Sequence, residues 1–167
     1  SLERILQWGN LVLNNAKKLE LMELKNKWYL DYVADVNPEE MLPGAHQLLL
    51  NLKENNIKIG LGSSSKNSVM ILEKLGIFEL FDTIIDGTII HMSKPHPEVF
   101  LRGASALHLQ PKECVVFEDA ISGVQAAIDG GFPCIGIGEP AVLGHASVVV
   151  PDLNGMTLSR IFELLSK

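Results

Sequence analysis

Along this chain the rhythm of apolar and polar positions changes near residue 36. Between residues 2 and 34 there is one glycine, Gly9, and no proline. Leu2, Ile5 and Leu6, then Leu19, Met22, Trp28, Tyr29 and Tyr32, recur there at helical spacing. This predicts two helices, broken near Gly9-Asn10 or Asn14-Asn15. The stretch VNPEEMLPG, Val36 to Gly44, carries two prolines and a glycine and reads as a connector. Beyond it, short apolar runs alternate with longer amphipathic ones. AHQLLLNLKENN predicts a helix stopped by Asn55-Asn56, IKIGLG a strand, and SVMILEKLGI a helix stopped by Gly76. FDTIID predicts a short strand, PEVFLRGASALHL a helix, CVVF a strand and ISGVQAAIDGG a helix ending at Gly130-Gly131. PCIGIG and SVVVP follow as strands, and TLSRIFELLSK closes the chain as a helix.

Strands that are nearly uniformly apolar and alternate with helices belong to a parallel sheet covered on both faces. The predicted fold is therefore α/β, a doubly wound parallel sheet of Rossmann-like type. The predicted organisation is a helical segment over 1–35, a hinge or linker over 36–44 and an α/β core over 45–167. In such sheets ligands gather at the carboxyl ends of the strands, so chemistry is expected just after each one.

Composition narrows the partners. The 167 residues carry a formal net charge of −6 and no block of Lys or Arg. That argues against nucleic acid and against an anionic membrane. It leaves room for a small anionic substrate, which needs only a local nest of donors. Cys114 and Cys134 both sit in apolar runs and read as small core residues, not a disulfide framework. No run of eighteen apolar residues and no signal peptide is seen, so a cytoplasmic location is the expectation.

Three strand ends carry candidate chemistry. After IKIGLG come Ser63, Ser64, Ser65, Lys66 and Asn67, directly before a helix. Hydroxyls, free backbone N–H groups and a cation at the positive end of a helix suit phosphate, although simple capping by Ser65 or Asn67 gives the same pattern. In MSKPHPEVF, Pro95 keeps Lys94 out of helical geometry, where it is either a fixed ammonium for an anion or a solvated surface lysine. After CVVF stand Glu118 and Asp119. Two hard-oxygen groups on a tight turn suit Mg²⁺, and equally suit the first turn of a helix. The five histidines have no partners at metal-ligand spacing, and Gly136 and Gly138 lack the rest of a dinucleotide fingerprint. Trp8, Trp28, Tyr29 and Tyr32 read as packing residues.

Taken in order, GLGSSSKN, SKPHPEVF and FEDAISGVQAAIDGG make the chain resemble the haloacid dehalogenase superfamily; NPEEMLPG and VVVPDL agree. Within it, SSSKN and LKNKWY resemble the phosphosugar mutase branch. The resemblance runs the length of the chain and implies roles. Ser63 and Lys94 would be catalytic, Ser63 binding the transferring phosphoryl oxygens and Lys94 neutralising their charge. Glu118 and Asp119 would hold Mg²⁺. Ser63, Ser64, Ser65, Lys66 and Asn67 would bind phosphate, and Lys25 would reach toward the sugar phosphate from a helical cap, of which residues 1–35 would be a remnant. The implied activity is interconversion of β-D-glucose 1-phosphate and glucose 6-phosphate through an aspartyl phosphate and a bisphosphate. A Mg²⁺-dependent phosphatase of small phosphosugars is the alternative. The implied partner is a small phosphorylated sugar, and the expected state of the full-length protein is a monomer.

One departure stands out. The family carries an Asp-x-Asp motif after its first strand, the first Asp being the nucleophile, and this sequence contains no Asp-x-Asp. The resemblance therefore leads to an expectation of an amino-terminally truncated chain. It would lack the first strand, half of the cap and a phosphate-binding Arg, fold poorly alone and be inactive as a non-catalytic fragment.

Overall fold

The structure, a computed structural model, describes residues 2–166, with side chains from Ile5 onward; Ser1 and Lys167, and the side chains of Leu2, Glu3 and Arg4, lie outside the described residues. The chain divides into two compact units, one up to Val36 and one from Asn37.

The first unit is two helices, α1 (Leu2–Trp8) and α2 (Asn15–Ala34). The break falls across both predicted positions. Asn10 takes a left-handed conformation, and Asn14 caps α2 by accepting from the Lys17 N–H at 2.8 Å. Leu6 and Val33 are buried. The aromatic residues correct the packing expectation: Trp8, Trp28 and Tyr32 are 78%, 64% and 63% exposed, and Tyr29 is half-buried. Two helices of this length have one mutual face to bury, and apolar residues spread around α2 cannot all reach it.

The second unit begins with α3 (Ala45–Glu54), β1 (Gly60–Gly62), α4 (Ser68–Lys74) and β2 (Thr83–Ile85). It continues with α5 (Glu98–Ala106), β3 (Val116–Glu118), α6 (Ile121–Asp129) and β4 (Cys134–Ile137). It closes with α7 (Pro140–Leu143), β5 (Val148–Val150) and α8 (Leu158–Leu165). All strand pairs are parallel, as predicted. They form two sheets, β1-β2 and β3-β4-β5, where one was expected. Among the described residues β1 and β3 each keep one edge without a strand partner.

The strands are shorter than their apolar runs, for local reasons. The Ile57 N–H closes the end of α3 on the Leu52 carbonyl, and the Ile59 N–H donates to the Asp82 carboxylate at 2.7 Å, so the ladder starts at Gly60. The helix α7 was not predicted; its signal is Pro140 at the first turn with Gly144 just past the end.

Alternation along β3, β4 and β5 builds two cores. Val116, Cys134 and Val149 face one, with Ala104, Val124, Ala127, Phe132 and Leu143. Phe117, Ile135, Ile137, Val148 and Val150 face the other, with Leu48, Leu153, Met156 and Ile161. Helices α5, α6 and α7 thus cover one face, and α3 and α8 the other, which is the doubly wound plan. It leaves the carboxyl ends of β1 and β3 free to build a site.

Candidate active site

Those two strand ends open into a cavity of about 360 Å³. Ser63, Ser64, Lys94, Glu118 and Asp119 line it, with Leu42, Gly62 and Phe117 among the apolar walls. Five separate stretches of sequence thereby meet, Ile137 of β4 contributing the fifth, and they include the three predicted strand-end clusters.

Ser63 continues β1: its N–H donates to the Ile85 carbonyl at 2.9 Å, and its Oγ accepts from the Ser65 N–H at 3.1 Å. The chain then turns. Ser65 Oγ accepts from the Asn67 N–H at 3.2 Å, while the Ser65 carbonyl accepts from Ser68 Oγ and the Gly87 N–H. Asn67 takes the cap position of α4 without a capping side-chain bond. Ser65, Lys66 and Asn67 stand outside the lining of the cavity, and Lys66 is exposed. Lys25 lies on α2, in the first unit, and is exposed.

Lys94 is held at both ends. Its loop is clamped by Glu98, whose carboxylate accepts from the His91 N–H at 3.1 Å, the Met92 N–H at 2.7 Å and Arg102 Nε at 2.7 Å. The His91 amide, helped by Met92 and Arg102, holds the Glu98 carboxyl below the usual carboxylate range. At the other end the Lys94 ammonium pairs with Glu118 Oε1. The two side chains are 16% and 7% exposed, so the pair is largely withdrawn from water.

Glu118 is the last residue of β3, and its other oxygen accepts from the N–H groups of Asp119 and Ala120, both at 3.2 Å. The carboxylate lies over Gly123 of α6, where a Cβ would fall on it. Asp119 is exposed and lines the same cavity. The two acids therefore differ: Glu118 is occupied by Lys94 and its own turn, and Asp119 is the carboxylate free to face a ligand.

This donor set fits Mg²⁺, which takes one or two carboxylates and completes its octahedron with water and phosphate oxygens. Among the described residues no third His, Cys, Asp or Glu joins the two acids to make a closed metal site. Nor is any described helix long and apolar enough to cross a membrane. Sequence reasoning missed Glu98 and Gly123 as supports. Gly123 had a signal, a glycine inside a helical run, whereas Glu98 had none before the loop was folded.

The sequence profile of haloacid dehalogenase-like hydrolases matches residues 3–131. The chain is 39% identical to β-phosphoglucomutase of Bacillus subtilis over 165 residues, which is 98% of this chain and 73% of that protein. It is 30% identical to hexitol phosphatase B of Escherichia coli over 158 residues, 92% of this chain and 68% of the relative. The crystal structure of β-phosphoglucomutase from Clostridium difficile superimposes with a TM-score of 0.92 at 36% identity, covering 99% of this chain and 75% of that one.

Proposed function

The chain belongs to the haloacid dehalogenase-like hydrolase family, and from that premise we propose that it serves a phosphosugar mutase reaction. The reaction is interconversion of β-D-glucose 1-phosphate and glucose 6-phosphate through a bisphosphorylated intermediate. The observation that carries this reading is the 39% identity to a β-phosphoglucomutase across 98% of the chain. The convergence of Ser63, Lys94 and Asp119 on one cavity is the arrangement such a reaction needs.

Phosphoryl transfer asks a protein for in-line positioning and charge neutralisation more than for unusual groups. In this reading Ser63 Oγ and the N–H groups of its loop bind the equatorial oxygens of the transferring phosphoryl group. Lys94 neutralises the charge that spreads over them. Asp119, with Glu118 beside it, would hold Mg²⁺, which when bound would supply Lewis-acid stabilisation of the same oxygens. Ser65, Lys66 and Asn67, with Ser64, offer donors to the second phosphate. Glu118 would be open to a metal only once released by Lys94, to whose ammonium a phosphate in the cavity would offer another partner.

A second reading is a phosphatase of small phosphosugars, favoured by the 30% identity to hexitol phosphatase B. Water would replace the sugar hydroxyl as acceptor, with the same cavity residues in the same roles. The absence of Asp-x-Asp from the 167 residues leads to the expectation that they alone turn over slowly, because a missing nucleophile costs on the order of 10⁶ in rate in a well-studied case.

The discriminating experiment incubates the purified chain, at a concentration matching the substrate so that slow turnover is visible, with β-D-glucose 1-phosphate, Mg²⁺ and a trace of glucose bisphosphate. Isomer formation that stops when the bisphosphate is withheld supports the mutase. Release of inorganic phosphate without isomer supports the phosphatase. Failure to bind either sugar phosphate by calorimetry, at any Mg²⁺ concentration, removes both.

A further inference from the structure

Below the cavity the ammonium of Lys94 has a second neighbour. Its Nζ lies 4.7 Å from the centre of the Phe100 ring, over the face. Phe100 is half-buried on α5 and is not among the residues that line the cavity. Its ring packs edge-on against Phe132, with centroids 6.1 Å apart and planes at 64°. It also fills the space left by Gly62, where a Cβ would stand 2.9 Å from the ring carbons Cδ1 and Cε1. Gly62 is the residue immediately before Ser63. The ring is therefore fixed between the β1 end and the core, with one face presented to the lysine.

Resting on the reading of Lys94 as a phosphate-binding cation, we infer that Phe100 is the positioning residue that keeps the Lys94 ammonium aimed into the cavity with its charge undiminished. The physical reason is the difference between its two partners. Glu118 attracts the ammonium but offsets its charge, and Glu118 is also wanted by a metal. The quadrupole of an aromatic face attracts a cation without carrying a net charge. When Lys94 leaves Glu118 for a phosphate, the ring goes on holding it. The main chain is meanwhile clamped by Glu98. A four-carbon side chain tethered at its root and seated near its tip has few rotamers left to lose on binding anion.

The test is a double-mutant cycle on the affinity for inorganic phosphate with saturating Mg²⁺, measured by calorimetry on the full chain. The four proteins are wild type, Phe100→Leu, Lys94→Met and the double variant. Phe100→Leu is expected to weaken phosphate about two- to tenfold, the ordering cost of a long side chain that has lost its seat. In the Lys94→Met background the same change is expected to have no further effect, because the ring acts through the lysine. Equal effects in both backgrounds would make Phe100 a packing residue and overturn the proposal. A near-isosteric series, phenylalanine replaced at 100 by its mono-, di- and trifluoro analogues, covers the case in which leucine disturbs the fold. Affinity is expected to fall stepwise as fluorine drains the ring face, and a flat series overturns the proposal while leaving the role of Lys94 intact. If Lys94→Met itself leaves phosphate affinity unchanged, both this proposal and the functional reading beneath it fall.

Discussion

Lys94 and Glu118, twenty-four residues apart in sequence, meet as an ion pair at the carboxyl end of β3. The pair is asymmetric. Glu118 is the more buried partner, and Lys94 is on a long stem that can follow water. Lys94→Met strands a buried carboxylate and is expected to cost about 3 kcal/mol in urea unfolding, whereas Glu118→Gln is expected to cost about 1 kcal/mol. Equal losses would contradict the burial difference. Both variants are expected to weaken sugar-phosphate binding, so the stability ranking and the affinity loss are separate readouts.

Gly123 gives a prediction of sign. In most helix interiors Gly→Ala gains about 1 kcal/mol, because the backbone entropy lost on folding is smaller. On α6 at position 123 the new methyl would fall on the Glu118 carboxylate. Gly123→Ala is therefore expected to destabilise by about 2 kcal/mol and to weaken phosphate binding through the displaced Lys94–Glu118 pair. A rise in melting temperature would show that the carboxylate has another place to go.

Legibility of the site followed the range of the interactions. Ser63, Lys94 and the Glu118-Asp119 pair could be read because each follows or precedes an element that local spacing reveals, and a parallel sheet sends such residues to one edge. The alternation of Val116, Cys134 and Val149 against Phe117, Ile135 and Ile137 was visible as apolar runs, but not which core each residue joins. The supports were hidden. The contact of Phe100 with Lys94, the seat of Glu118 on Gly123 and the clamp of Glu98 on His91 depend on side-chain packing that no period encodes. Strand limits failed where a side chain took over a ladder bond, as Asp82 does at Ile59. The exposed Trp8 and Trp28 misled because helical spacing of apolar residues states that a face exists, not that something covers it.

The last prediction concerns Cys134, which lies fully buried in β4, two residues before the register partner of Glu118. Burial pushes its thiol up to about 11, with the nearby Glu118 charge adding to the rise and Lys94 opposing it. In the unfolded chain the thiol ionises at its ordinary value, so above that pH the unfolded state sheds a proton that the folded state keeps. The resulting stability is fully present below the ordinary thiol value and is lost as pH rises toward 11. A rise of that size corresponds to at most about 3 kcal/mol. Comparing urea unfolding of wild type and Cys134→Ala between pH 8 and pH 11 isolates this contribution from Cys114, whose thiol is also raised by burial. The wild type is expected to lose stability faster than the variant across that window. Parallel curves would mean that Cys134 ionises as readily in the folded protein as in the unfolded chain, and that the core beside Glu118 admits water.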